Sequence, residues 1–257
     1  MRIKLTLRQA KPDQYISINY QYAVSSFIYH TIETSSREYS NWLHEKGFAS
    51  GNKKFKLFTF SMFNIPKRNI ESNRIRILSD EIELTVSMIS DKAIEHFIIG
   101  MFENQRMRIF DTDNNAEFLI KTVEMIPEPE FSGKVNFKTI SPIVLTKRTI
   151  YKGKESAYYM SPEDEDYSLY FISNLTEKYK SYNGGEINGK KINSFTYNGD
   201  CRSKMIRLKE NKDEYTDVRG YVFRFSLEGD RDLIKFGYEA GFGKQCSMGF
   251  GCASANY

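Results

Sequence analysis

An α+β fold with antiparallel sheets and helices on one face is what this sequence predicts, and three observations carry it. Residues 2–8 alternate in the manner of a strand, helical spacing runs through 19–33 and again through 91–104, and further strand-type runs lie between and after them. The resulting order of strand, helix, two strands, helix, strand is the split β-α-β of ferredoxin-like, RNA-recognition-type domains. With 257 residues and 40% hydrophobic content, the chain can fill two cores of ordinary domain size.

Each element has its local reason. In the first strand Ile3, Leu5 and Leu7 share one face, with charged and hydroxyl side chains on the other. In the first helix Tyr20, Val24, Phe27, Ile28 and Thr31 gather on one side. A second, short helix is signalled by Ser35 and Glu38 in capping-box spacing, by Tyr39, Trp42 and Leu43 as its apolar face, and by Gly47 as its stop. Strands are expected at 57–63, 74–78 and 82–88, then a helix over 91–104 with Ser90 as its N-cap, then strands near 107–110 and 118–125. The run Ile126-Pro-Glu-Pro-Glu-Phe-Ser-Gly133 has the Pro and Gly density of a linker, which divides the chain into domains at 1–126 and 127–257. Strands at 134–145 and 221–227, a helix over 167–180 and a short helix at 230–236 make the second half a degraded copy of the first.

Composition excludes several functions. The 37 Lys plus Arg against 33 Asp plus Glu give a formal net charge of +4, too modest to mark a nucleic-acid binder by itself. The first nine residues lack the apolar core of a secretory signal, and no apolar run is long enough to cross a bilayer, so a cytoplasmic protein with no membrane partner is expected. Cys201, Cys246 and Cys252 are odd in number and lack Cys-x-x-Cys spacing, which argues for incidental thiols over a zinc site. Asp111-Thr-Asp113-Asn-Asn115 starts like a calcium loop, but Ala116 and Thr122 stand where glycine and a bidentate Glu are needed. The acidic run 163–166 reads as a solvated helix start. Neither metal nor cofactor is expected.

The strongest local signal is GYEAGFGKQCSMGFG at 237–251, which holds five of the sixteen glycines. Glycines there permit positive φ and close backbone approach, either to expose N–H groups to phosphate or to make a tight interdomain turn. A dinucleotide fingerprint fails because a third glycine and a following βαβ unit are missing, and no Gly-Lys-Ser or Gly-Lys-Thr completes a Walker A loop. Basic residues form a second signal. Lys190, Lys191, Arg202, Lys204, Arg207, Lys209 and Lys212, interleaved with Phe195 and Tyr197, form a phosphate-tracking strip, with shorter patches at Lys53, Lys54, Lys56 and at Lys147, Arg148, Lys152, Lys154.

Gly237-Tyr238-Glu239, then Gly241-Phe242-Gly243, Ser247 and Gly249-Phe250-Gly251, resembles the C-terminal glycine-rich loop of the CRISPR-associated Cas-six endoribonucleases. The resemblance continues through 221–236, the first sixty residues and Ser141-Pro142-Ile143. It implies tandem ferredoxin-like domains and a metal-independent endoribonuclease that cuts CRISPR repeat RNA to 2′,3′-cyclic phosphate and 5′-hydroxyl ends. It also implies a tyrosine, a histidine and a lysine as the catalytic group. Phe27-Ile28-Tyr29, Leu43-His44-Glu45 and Lys56-Leu57-Phe58-Thr59 resemble the three family segments, which carries those roles to Tyr29, His44 and Lys56. On the helical wheel Tyr29 lies away from the apolar face, and His44 sits in the last turn before Gly47, where the helix dipole favours imidazolium. With its usual pKa near 10, Tyr29 acts as a base only if Lys56 lowers that value; otherwise it positions the 2′-hydroxyl. His30, beside Tyr29 at the edge of the apolar face, reads as a boundary histidine with no catalytic role, support of Tyr29 being the alternative, and His96 is expected to be inert.

RNA contacts are assigned to Lys53, Lys54, Lys190, Lys191, Arg202, Lys204, Arg207, Gly241, Gly243, Lys244, Ser247, Gly249 and Gly251. The partners implied are CRISPR repeat RNA and other CRISPR-associated proteins of an effector complex, with the chain a monomer or homodimer. Two alternatives stand: a non-catalytic repeat-RNA-binding subunit of such a complex, and a ferredoxin-like regulator that uses the glycine segment for a small ligand.

Overall fold

The structure is a computed structural model that describes residues 1–51, 53–111, 114–151, 153–209 and 215–255. Five antiparallel strands form the first sheet in the order Phe58–Phe60, Glu81–Met88, Arg2–Gln9, Asn115–Met125, Arg106–Phe110. Counted along the chain, the first four stand in the 2-3-1-4 order of a ferredoxin-like domain, with Arg106–Phe110 added to one edge. Helices α1 (Gln21–Ser35), α2 (Arg37–Glu45) and α3 (Asp91–Glu103) accompany it. Ile3, Leu5 and Leu7 are fully buried opposite Val86, Leu84 and Ile82, and α1 and α3 close the core above them with Val24, Phe27, Ile28 and Phe97.

The second half repeats that topology. Its sheet runs Ile192–Tyr197, Arg224–Gly229, Lys134–Thr139, Ala253–Ala255, again 2-3-1-4, with α4 (Tyr167–Tyr182) and α5 (Arg231–Ala240) after its first and third strands. The tandem ferredoxin-like architecture is therefore present. Much of the aromatic excess is spent in this core: Phe137 stacks on Phe225 at 5.1 Å between ring centres, and Phe171 on Phe242 at 5.5 Å.

Three local expectations change. Ser36, not Ser35, caps α2 by accepting from the Tyr39 amide; Ser35 is the last residue of α1, because the extended φ of Ser36 ends one helix and opens the next. The strand expected over 134–145 stops at Thr139, after which Ile143 and Val144 bridge to Tyr221 and Lys244. The run 221–227 is broken at Phe223: Thr216–Val222 pairs with Arg202–Leu208 in a separate hairpin, and Arg224–Gly229 joins the sheet.

The two halves share polar as well as apolar contacts. The buried Arg2 guanidinium lies 3.5 Å over the Tyr238 ring and donates to the Ala253 carbonyl at 2.6 Å. Met62 N–H donates to the Ile140 carbonyl, and the Thr59 hydroxyl to the Phe250 carbonyl. Among the described residues no helix is long and apolar enough to cross a membrane.

Candidate active site

The sequence expects Tyr29, His44 and Lys56 to act together, and the local turns explain how they meet. Gly47, at φ +59°, ends α2 with its N–H on the Trp42 carbonyl. A Cβ there would stand 2.5 Å from the Phe55 carbonyl, so only glycine lets the hairpin Phe48–Ser50/Lys53–Phe55 fold back against the helix end. Lys56 follows, and its ammonium donates to the carbonyl of His44. The Tyr29 ring, reaching over from α1, meets the His44 ring edge-on at 5.3 Å and 80°, and the Phe58 ring at 5.4 Å and 76°. All three residues are brought together.

Burial pushes the Tyr29 phenol far above its usual range, and the polar side chain of Ser247 opposes that only in part. The phenol stays protonated at neutral pH and so cannot accept a proton there. Lys56 does not bring it down, since the Ser247 side chain is the one group that lowers it. Lys56 itself is held below its ordinary value, chiefly by burial and also by the neighbouring cation of Lys54, with Glu45 opposing. His44 is exposed, so its imidazole can reach a bound substrate.

The glycine-rich end lies against the first helix. Ser247 sits on a 3-10 turn, Cys246–Met248, directly beside α1. Its flanking glycines serve packing. A Cβ on Gly249 (φ +82°) would be 2.5 Å from the Phe60 ring, and one on Gly251 would be 2.0 Å from the Phe242 carbonyl. A Cβ on Gly241 would strike Thr59, and one on Gly243 the Val144 carbonyl. Several amides of the loop are also spent internally: Phe242 on Gly251, Lys244 on Val144, Gly249 on Cys246, Gly251 on Pro142. Of the two readings open at the sequence level, the tight interdomain turn fits these contacts better than a phosphate cradle.

Between the loop, α4 and the Lys53–Phe55 strand lies a cleft of about 650 Å³, lined by Lys53, Lys54, Lys56, Lys178, Lys244 and Ser247 among others. Lys53 bridges it to Glu177 at 2.5 Å. Lys244 donates to the Thr146 hydroxyl at 2.7 Å, and burial together with the positive field of Lys53 pulls its pKa down. Lys178 was not anticipated. It is 3% exposed and donates to the Gly241 carbonyl at 2.8 Å and to Cys246 Sγ at 3.0 Å. Its i+7 and i+3 spacing from Phe171 and Leu175, on the apolar side of α4, is the signal that could have found it.

The basic strip divides. Lys190 is bound to Asp230 and Asp232 at the start of α5, and Lys191 lies exposed beside it. On the Arg202–Leu208 hairpin Arg202 is exposed, Lys204 is exposed along its stem with its ammonium against the Met62 sulfur at 3.5 Å, and Arg207 forms a two-pronged pair with Asp217 at 2.8 and 2.9 Å. Lys212, Lys152 and Asp113 lie outside the described residues. His30 faces Glu33 on its own helix at 3.8 Å, and His96 joins Ser35 at 3.0 Å and the Tyr39 ring, so neither enters the site. Among the described residues no cluster of three His, Cys, Asp or Glu side chains could hold a metal ion.

Comparison with known proteins shows the family. The profile described as CRISPR-associated protein Cas6, N-terminal, matches residues 15–124, and that described as CRISPR associated protein Cas6, C-terminal, matches 126–255. The chain belongs to the Cas6 family. The CRISPR-associated endoribonuclease Cas6 1 of Methanocaldococcus jannaschii is 34% identical over 253 residues, covering 98% of this chain and 91% of its own. A solved structure described as CRISPR associated protein Cas6 superposes with a TM-score of 0.78 at 32% identity, covering 100% of this chain and 99% of its own. The product of a Cas6-related gene from Pyrococcus furiosus superposes at 0.84 with 25% identity, covering 100% and 98%. The resemblance read from the glycine-rich end is thus borne out.

Proposed function

We propose that this Cas6-family protein is an endoribonuclease that binds CRISPR repeat RNA and cuts it without a metal, leaving a 2′,3′-cyclic phosphate and a 5′-hydroxyl. The observation that carries the reading is the convergence of Tyr29, His44 and Lys56 beside a lysine-lined cleft. In the step itself the ribose 2′-oxygen attacks phosphorus and its proton passes to water. The phosphorus–5′-oxygen bond breaks, and the leaving oxygen takes a proton from His44 imidazolium. The Lys56 ammonium offsets charge on the phosphoryl oxygens, and the neutral Tyr29 phenol holds the attacking ribose in place by a hydrogen bond. Lys53, Lys54 and Lys244 in the cleft, with Arg202 and Lys204 on the hairpin, are assigned to the RNA backbone. Residues 1–126 and 127–257 are taken as the two domains.

The test uses repeat RNA with a single 2′-deoxy nucleotide at the scissile position. It should bind like the all-ribose RNA and resist cleavage. Cleavage of the deoxy substrate refutes the 2′-hydroxyl mechanism. Tight binding of all-ribose repeat with no cleavage assigns the protein instead to the non-catalytic RNA-binding alternative.

A further inference from the structure

We propose that Asn174, with Tyr170 one turn before it on α4, forms a base-reading subsite in the lysine cleft: the Asn174 carboxamide hydrogen-bonds the edge of one unpaired RNA base, and the Tyr170 ring stacks on its face. The inference deepens the reading of that cleft as the RNA site and rests on it.

Asn174 is a residue whose hydrogen bonding the fold leaves unfinished. It is only 9% exposed, and its Oδ1 is buried with no donor among the described residues. A buried polar atom without a partner destabilises a fold, so native structures seldom keep one that has no use. Asn174 lines the cleft together with Tyr170, Ser173 and Glu177 of the same helix. Those positions stand at i, i+3, i+4 and i+7, one stripe of α4 turned toward the cleft, while Phe171 and Leu175 on the next stripe join the core. The polar neighbours are engaged elsewhere. Glu177 is taken by Lys53, and Lys178 donates to the Gly241 carbonyl and the Cys246 sulfur.

The missing partner has a defined chemistry. The cations of the cleft, Lys53, Lys54, Lys56 and Lys244, suit phosphate, which brings acceptors only. An amide oxygen needs a donor. RNA carries its donors on the base edges and the 2′-hydroxyls, and a carboxamide matches a base edge because it offers an acceptor beside a donor. At about 650 Å³ the cleft has the size of a ligand site, usually roughly 300 to 1,000 Å³, so it admits a whole nucleotide and not only a phosphate. The Tyr170 ring is 38% exposed, and unpaired bases in RNA sites stack on such rings. Because Lys56 lines the same cleft, the base read there belongs to a nucleotide close to the scissile phosphate.

The experiment moves a single abasic nucleotide along the 2′-deoxy repeat RNA and reads Kd by fluorescence anisotropy. For the parent, one abasic position near the cut should raise Kd about thirtyfold, the scale of one stacked and hydrogen-bonded base. Asn174→Ala should bind the intact RNA about tenfold more weakly and pay only about threefold for that abasic position, with its penalties elsewhere like the parent's. Tyr170→Ala should shrink the penalty at the same position. A second scan, with an added 2′-deoxy nucleotide moved along the RNA, separates a base from a ribose hydroxyl: its penalties should be the same in the parent and in Asn174→Ala. Asn174→Leu, which removes the carboxamide and keeps the side-chain shape, should melt no lower than the parent and give the same flattened abasic scan. An abasic scan unchanged by Asn174→Ala, a 2′-deoxy penalty that Asn174→Ala abolishes, or an Asn174→Leu that melts well below the parent overturns the inference. A parent that binds no repeat RNA, or binds it equally after Lys244→Ala, brings down the reading of the cleft and this inference with it. A parent that binds through Lys244 with penalties indifferent to Asn174 brings down the inference alone.

Discussion

Replacing Gly249 with alanine should destabilise the whole protein, and the amount follows from the packing. At φ +82° an alanine carries backbone strain of about 1–2 kcal/mol. Its Cβ would sit 2.5 and 2.8 Å from two carbons of the Phe60 ring and 3.3 Å from Gln21 Cγ. Phe60 and Gln21 are buried, so neither can swing into solvent, and overpacking adds about 1–3 kcal/mol. A loss of about 3 kcal/mol lowers the melting temperature of a chain this long by roughly 6–12 °C. The matched control is Gly184→Ala, where φ is +65° and nothing lies within 4 Å, so only the backbone strain remains. Differential scanning calorimetry of both variants gives the comparison. If Gly249→Ala melts no lower than Gly184→Ala, the glycine-rich end is not a packed brace between the halves, and the packing argument fails.

Two further outcomes follow from the charges and buried hydroxyls. Lys244→Ala should weaken RNA binding and reduce the salt slope of log Kd by about 0.7 for a single-stranded contact, read by fluorescence anisotropy from low to high salt. Lys190→Ala should leave that slope unchanged, because Asp230 and Asp232 already occupy the ammonium. At high pH, burial raises the pKa of Tyr20 from 10 to about 12, so its contribution to stability is whole below pH 10 and is lost as pH climbs toward 12. Urea titrations at pH 9 and pH 11 should show Tyr20→Phe losing about 1.4 kcal/mol less between the two pH values than the parent; equal losses would contradict the burial argument.

How much of this was readable beforehand depended on whether a residue's partners lay nearby in sequence. The first strand, α1 and α3 were legible because Ile3, Leu5, Leu7 and the Ala93, Ile94, Phe97 face carry their period within a few residues. The break at Phe223 was not, because Tyr221 to Leu227 alternate without interruption; what splits them is the Phe223 amide bonding the Thr139 hydroxyl from a distant strand. Lys190 looked like a phosphate ligand until α5 brought Asp230 and Asp232 beside it. Tyr29, His44 and Lys56 could be named from local resemblance, and the Gly47 turn that joins the last two was visible as a helix stop. The seating of the 3-10 turn at 246–248 against α1 could not be seen, since it depends on how the two halves dock.

The most direct test of the account is single-turnover cleavage of the cognate repeat RNA in EDTA by the parent and by His44→Ala, with the ends of the products identified by mass spectrometry. The parent should cut at one position in each repeat and leave a 2′,3′-cyclic phosphate and a 5′-hydroxyl, and His44→Ala should be slower by about a hundredfold or more. No cleavage by the parent in EDTA, a different product end, or an undiminished rate for His44→Ala would contradict it.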